Sequence, residues 1–236
     1  MKNTIKKGQL KENIYYLPDI QLDRKEYLEV AKHIKFLGGK WNRTKGGFIF
    51  DREIKSIDEL LGETNKQKQL QFFETPQELA KELVYLADIQ NQDDILEPSA
   101  GRGAIIKEIK KICSCQIQYC EIDETNRKYL EKIDNLEEVN YNFLKFNEMT
   151  FSKIIANPPF SKNQDIDHIR HMYSLLRRKG RLVSIASKHW QISNKKKETE
   201  FRDWLEDIDA EVVELDEGKF KESGTNIKSV IIIINK

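Results

Sequence analysis

The chain has 236 residues, 39% hydrophobic and 33% charged, with a formal net charge of +1, enough for one medium domain plus a small one. Its longest apolar run, Val230 to Ile234, is far too short to cross a bilayer, and the Lys-rich N-terminus has no apolar signal core, so a cytoplasmic protein without a membrane partner is expected. The charge is uneven: the first 70 residues carry 15 Lys and Arg against 10 Asp and Glu, the remainder 25 against 29, which fits polyanion contact at one end or simply a solvated Lys-rich surface.

Residues 14–61 read as a unit of their own. Ile14-Tyr15-Tyr16 opens an extended stretch that Pro18 interrupts. Asp23 is a cap for a helix to about Leu37, with Tyr27, Val30, Ala31 and Ile34 at helical spacing. Gly38-Gly39 stops it, and Lys40 to Arg43 with Gly47 to Phe50 form a hairpin around Thr44-Lys45-Gly46. Gly62 to Gln71 is polar and reads as a linker. The division expected is a small basic α+β domain at residues 1–66 and a larger domain at 67–236.

From Phe72 onward strands and helices alternate. Thr75-Pro76-Gln77-Glu78 has the form of a capping box, Thr at N-cap and Glu at N3, before a helix carrying Leu79, Leu83, Val84 and Leu86. Strands are expected at Ile95-Leu96, Ile117–Ile122, Val139–Leu144, Lys153–Ala156, Arg181–Ser187, Glu211–Leu215 and Ser229–Ile234. Helices are expected from Ala104, over Asp165–Arg178 and over Lys197–Ile208. The alternation predicts an α/β doubly wound sheet. Cys113, Cys115 and Cys120 match no zinc spacing and read as reduced, packed thiols.

Two loops carry chemistry. Glu97-Pro98-Ser99-Ala100-Gly101-Arg102-Gly103 lies between a strand and a helix, where glycines let the backbone approach a ligand. The next strand ends on Glu121, an acceptor for ribose hydroxyls. Where a dinucleotide fingerprint would place its third glycine stands Ile106, so a nucleotide-like ligand without a pyrophosphate fits better. Farther on, Asn157-Pro158-Pro159-Phe160 closes the run Ile154-Ile155-Ala156. Two prolines stiffen the loop and remove two donors. The Asn amide oxygen and the proline carbonyls offer acceptors, and the Phe a flat apolar face. That set suits a planar heterocycle with an exocyclic amine, such as adenine.

Phe72-Phe73-Glu74-Thr75-Pro76, Glu97-Pro98-x-x-Gly101-x-Gly103, Glu121-Ile122-Asp123 and Asn157-Pro158-Pro159-Phe160 resemble, in identity and order, the gamma-class N6-adenine DNA methyltransferases, over Phe72 to Lys236. The resemblance implies a Rossmann-like class I methyltransferase sheet, mostly parallel with its last strand antiparallel, and S-adenosylmethionine as cofactor. It implies that Thr75 meets the cofactor's methionine carboxylate and that Glu97, Pro98, Ala100, Gly101 and Gly103 line the methionine side. Glu121 would bind the ribose and Ile122 pack on the cofactor adenine. Asn142-Phe143 stands where the family often has Asp-Phe, with an uncharged acceptor in place of the acid. Asn157, Pro158, Pro159 and Phe160 would be catalytic, and Phe220 a second aromatic against a flipped base. Trp190, with Lys195 to Lys197, is a candidate nucleic-acid contact. His168 and His171 read as surface or packing residues.

Larger gamma-class enzymes carry a C-terminal target-recognition domain. Here the last expected strand reaches the C-terminus, and the layout looks like that of compact phage and mobile-element methyltransferases. The N-terminal unit is the expected docking module, through Lys40, Trp41, Arg43 and Lys45, unless Trp41, Phe48 and Phe50 are its own core. The substrate expected is nucleic acid, DNA foremost. Ribosomal RNA bases and a protein glutamine amide present the same planar –NH2 group and stay open, as does a binding protein that keeps the fold without turnover.

Overall fold

The structure is a computed structural model that describes residues 2–51, 53–54, 56–58, 60–61, 74–215 and 228–236. The chain divides into two compact units, Met1–Gln71 and Phe72–Lys236. The expected linker, Phe72-Phe73 and the Gly218–Lys221 segment with Phe220 lie outside the described residues. Among the described residues no helix is long and apolar enough to cross a membrane.

The first unit contains α1 (Lys2–Lys6), β1 (Gln9–Lys11), β2 (Ile14–Tyr16), α2 (Arg24–Phe36), β3 (Lys40–Asn42) and β4 (Gly47–Ile49). Its sheet is antiparallel, in the order β1-β2-β4-β3. Asp23 caps α2, its carboxylate accepting from the Glu26 amide at 2.8 Å, and Gly38, at φ +92°, ends it in a conformation that side chains avoid. β1 was not singled out in the sequence, because among its three residues only Leu10 is apolar. Tyr15, Phe48 and Phe50 pack with Val30, Ile34 and Leu37 into a core. Trp41 does not join it: the side chain is 44% exposed and meets Phe48 edge-on, with ring centroids 5.0 Å apart.

The second unit contains α3 (Gln77–Ala87), β5 (Ile95–Glu97), α4 (Ala104–Ile112), β6 (Ile117–Cys120), α5 (Glu124–Leu130), β7 (Leu136–Asn140), β8 (Phe151–Ala156), α6 (Gln164–Leu175), β9 (Leu176–Ser187), α7 (His189–Ile192), α8 (Lys196–Asp207), β10 (Glu211–Glu214) and β11 (Ser229–Asn235). Seven strands form one sheet in the order β10-β11-β9-β8-β5-β6-β7. β5 to β9 are mutually parallel; β11 runs antiparallel to both β9 and β10. This is the doubly wound sheet with an antiparallel hairpin at one edge that the sequence implied.

Burial on both faces explains why the central strands read as unbroken apolar runs. On β11, Ile231 and Ile233 join one core with α3 and α4, while Val230, Ile232 and Ile234 join the other with α6 and α8. β5, β8 and β9 divide in the same way: Ile95, Ile155 and Val183 pack in the first core, and Leu96, Ile154 and Leu182 in the second.

Several local expectations need correction. β9 starts at Leu176 and α6 ends at Leu175, earlier than expected, and Leu175 and Leu176 are both buried at the junction. β7 ends at Asn140, and Phe143–Lys145 is a 3-10 turn. Cys113 and Cys115 sit as a bonded pair rather than as reduced thiols: Cys113 leaves α4 with extended backbone at φ −142° and turns its sulfur along the chain. Cys120 is free and buried, and burial pushes its thiol up to about 12.

Candidate functional site

In open α/β sheets ligands bind beyond the carboxyl ends of the strands, where the strand order reverses. Here β5 is flanked by β6 and β8, so the reversal lies at β5, and the loops leaving β5 and β8 are neighbours. These are the two loops that the sequence marked for chemistry.

The β5 loop is held open by its backbone. Gly101 lies at φ +55° and Gly103 at φ +77°, the region that disfavours side chains. A Cβ on Gly103 would come within 3.0 Å of Leu130 and 3.1 Å of Ile133. The Gly103 amide donates to the Ala100 carbonyl at 2.8 Å, and the Ala100 amide to the Cys120 carbonyl at 3.0 Å, tying the loop to the end of β6.

Glu121 completes that tie. Its carboxylate accepts from the Gly101 amide at 2.7 Å, the Asp123 amide at 2.7 Å and Asn126 Nδ2 at 3.4 Å. Burial raises its pKa above the usual carboxylate range, against the lowering effect of those donors. Each carboxylate oxygen has two lone pairs, so this set still allows acceptance from a ribose hydroxyl. Ile122 beside it is 50% exposed, an apolar face next to the acceptor. Glu97 is buried, and burial holds its carboxyl well above the ordinary value while the Ile106 amide donates to it. It braces the start of α4 from within.

The β8 loop carries Asn157. Its Nδ2 donates to Thr75 Oγ1 at 3.1 Å. Thr75 is therefore not the helix cap that the sequence suggested: Pro76 holds the N-cap position of α3 with no side-chain cap bond, and Glu78 pairs with Lys81 at 2.7 Å instead. Pro158 is buried, and Asn157, Pro159 and Phe160 are half-buried, with Phe160 packed on the first core. Lys162 and Asn163 follow in left-handed conformations, at φ +55° and +58°.

Residues that sequence reasoning missed hold this loop from the other side. Asp165 is fully buried; its carboxylate accepts from the Ser187 amide at 2.9 Å and the Ser187 hydroxyl at 2.8 Å. Asn163 Nδ2 donates to Glu198 Oε1 at 2.7 Å, and Lys197 Nζ to the Asn163 carbonyl at 2.9 Å. The loop after β8 is thus fastened to the end of β9 and the start of α8. In the sequence Asp165 was indistinguishable from a solvated acid at a helix start.

The other candidates are placed as follows. Asn142 is half-buried. Phe143 is buried in the second core, its ring 5.4 Å from that of His168 and 4.7 Å from that of His171, so it offers no surface to a ligand. His168 is a packing residue. Trp190 is only 5% exposed and meets Phe201 at 5.3 Å in a T-shaped contact; its ring is an anchor for α7, not a platform for nucleic acid. In the first unit Lys40 pairs with Asp51 at 2.8 Å, and Lys40, Trp41, Arg43 and Lys45 are exposed at the hairpin.

The strand order and the two loops define a class I S-adenosylmethionine-dependent methyltransferase fold. No family model matches the chain. Over 102 residues it is 30% identical to a protein of Methanococcus maripaludis described as a probable ribosomal RNA small subunit methyltransferase A; the match takes in 41% of this chain and 38% of the length of that relative. Among solved structures, the type I restriction-modification methyltransferase subunit from Streptococcus thermophilus superposes with a TM-score of 0.60 at 18% identity, over 75% of this chain and 49% of that one. The M protein of the type I restriction enzyme EcoKI gives 0.58 at 14% identity, over 90% and 55%. A dimethyladenosine transferase from Plasmodium falciparum gives 0.53 at 16% identity, over 70% and 63%. The fold implies S-adenosylmethionine, and the residues fit it: a glycine loop that a Cβ would obstruct, an acidic acceptor beside an exposed apolar face, and an uncapped helix start beside Thr75.

Proposed function

We propose that the protein transfers a methyl group to the exocyclic N6 amine of adenine in DNA. The observation that carries this reading is the Asn157–Thr75 hydrogen bond, in which the amide's Nδ2 donates to the protein; Oδ1 would be the end that accepts from a substrate N–H. Beside it the Pro158 carbonyl is a second acceptor on a loop that two prolines stiffen.

The N6 amine of adenine is a poor nucleophile because its lone pair is shared with the ring. Two acceptors, Asn157 Oδ1 and Pro158 O, would take its two N–H bonds and favour a pyramidal nitrogen whose lone pair points away from both. They stabilise the positive charge that grows on nitrogen; loss of one such contact commonly costs about 10²–10³ in rate. When bound, S-adenosylmethionine supplies a methyl group on a cationic sulfur. Glu121 and Ile122 would hold its nucleoside part, and Gly101 and Gly103 with Thr75 its amino-acid part, at the point of strand reversal. Placement of the two partners by rigid loops supplies much of the remaining rate. Phe160 would face the base, which must leave a duplex stack at a cost of a few kcal/mol.

A second reading is an adenine base in RNA, favoured by the 102-residue similarity to a probable ribosomal RNA methyltransferase. Both are tested by incubating the protein with mixed DNA and RNA and labelled cofactor, then identifying the modified nucleoside by mass spectrometry. N6-methyldeoxyadenosine is the expected product. Methylated adenosine in RNA alone selects the second reading, and label confined to protein refutes both.

A further inference from the structure

Trp190 and Ile192 stand on the same short helix, α7, and are treated in opposite ways. Trp190 is buried against Phe201, whereas Ile192 is 81% exposed. A single exposed apolar side chain is ordinary on a protein surface and by itself means little. Ile192 differs in how firmly the turn that presents it is held. Arg202 Nη1 donates to the Trp190 carbonyl and, at 2.7 Å, to the Ser193 carbonyl, so one guanidinium clamps the backbone on both sides of Ile192. The Ser193 amide closes the turn on the His189 carbonyl at 3.1 Å. Gln191 Nε2 donates to Glu214 at 3.3 Å, and Lys188 pairs with the same carboxylate, which fastens the turn to β10. The framework holds an isoleucine out in water and gives the backbone no freedom to turn it inward.

This turn lies at the same end of the sheet as the Asn157 corner. Ala156 of β8 pairs with Ser184 of β9, and β9 continues to Ser187, past the level at which the corner departs. α7 follows directly. The tie from Asp165 to Ser187 joins the corner loop to the residue just before this turn. Beyond Ile192 come Lys195 and Lys196, both exposed, cations suited to phosphates on either side of a base step. A base drawn out of a duplex leaves a gap walled by the faces of its neighbours, and proteins that open base steps fill such gaps with apolar wedges, isoleucine among them. We propose that Ile192 is a wedge that enters the duplex where the target adenine has left the stack, with Lys195 and Lys196 on the flanking phosphates. The wedge rests on the adenine-in-DNA reading given above and makes double-stranded DNA the substrate, since a single strand has no such gap to fill.

The test uses the whole chain and two fluorescent duplexes of one sequence, one intact and one with a single abasic site in place of an adenine. Anisotropy titrations read the wedge without any turnover. The parent is expected to bind the abasic duplex about tenfold more tightly, because the gap is already open. Ile192→Ala should bind the two duplexes alike, and Ile192→Leu should keep the preference. Lys195→Ala with Lys196→Ala should weaken both complexes equally and flatten their salt dependence by about two ion equivalents, leaving the preference in place. No preference in the parent, or a preference kept in Ile192→Ala, overturns the proposal. The turnover arm follows labelled methyl transfer to genomic DNA before and after heat denaturation. The ratio of duplex to single-strand methylation should fall about tenfold in Ile192→Ala; an unchanged ratio, or methylation of denatured DNA alone by the parent, also overturns it. Where the parent methylates no DNA, the abasic preference still decides the wedge, so failure of the adenine reading and failure of the wedge are seen separately.

Discussion

Asp165 offers the sharpest test of how the candidate site is held. Its carboxylate is fully buried and receives two donors from Ser187, at 2.9 and 2.8 Å. Asp165→Ala strands both. A buried donor left unpaired costs about 1–3 kcal/mol, so the gross loss is about 2–6 kcal/mol. Against this, burial raises the pKa of Asp165, which means that the ionised carboxyl is itself unfavourable there and its removal returns part of the loss. A net destabilisation of about 3 kcal/mol follows, or roughly 6–12 °C in a domain of this size. Asp165→Asn keeps one acceptor oxygen and removes the charge, and should cost about 1 kcal/mol. Urea unfolding in a Trp41→Phe background reads this directly, because Trp190 and Trp204 then report on the second unit alone, with Trp190 three residues from Ser187. Equal midpoints for Asp165→Ala and the parent would refute the claim that this carboxylate fastens the β8 loop to β9.

Asn157→Ala should lower turnover by about 10²–10³ while calorimetry with S-adenosylhomocysteine shows cofactor affinity unchanged; retained turnover contradicts the role given to Asn157. Gly103→Ala places a Cβ at φ +77° and 3.0 Å from Leu130, and should destabilise the second unit by about 1–2 kcal/mol in the same urea assay. Burial lowers the pKa of His168 from 6.5 to about 4, so the folded state keeps it neutral where an unfolded chain would protonate it. That contribution is whole above pH 6.5 and is lost as pH falls toward 4, by about 3 kcal/mol. His168→Phe should flatten this part of the acid profile relative to the parent; parallel profiles would rule it out. If the first unit docks nucleic acid, Arg43→Glu with Lys45→Glu should weaken binding and flatten its salt dependence by about two ion equivalents, and an unchanged slope in a salt titration removes the docking role.

Most of the second unit was legible in the sequence because its signals are local. Unbroken apolar runs such as Val230 to Ile234 mark strands buried on both faces, and the glycine loop and the Asn-Pro-Pro-Phe corner mark the two strand ends at the reversal. What was not legible depends on contacts across long sequence separations. Thr75 satisfied every local rule for a helix cap, yet its oxygen serves Asn157, 82 residues away; a donor in the site outcompetes the backbone amides that a cap would satisfy. Trp190 followed by lysines has the composition of a nucleic-acid contact, but Phe201 on α8 claims its ring. Trp41 erred in the other direction: it sits opposite Phe48 in the strand register, as a core residue would, and is left partly in solvent because β3 is an edge strand. Asp165 carried no signal, since only the fold shows that Ser187 faces it.

These long-range ties explain why a loop can serve as an acceptor site at all. A corner built of an amide oxygen and a proline carbonyl must stay within about 0.5 Å of its working geometry, yet prolines supply no backbone donors by which to hold it. Left-handed Lys162 and Asn163 add local strain just beyond it. The restraint has to come from side chains on both flanks: Thr75 from the start of α3, and Asp165 with Glu198 from the side of β9 and α8. The two flanks act on different things. Thr75 meets the reacting amide itself, so its loss should change kcat with little change in stability. Asp165 holds backbone two elements away, so its loss should lower stability first and turnover only as the corner loosens. A Thr75→Val variant that unfolds as easily as Asp165→Ala, or an Asp165→Ala variant that keeps parental stability and loses turnover, would reverse this division of labour and with it the account of how the corner is positioned.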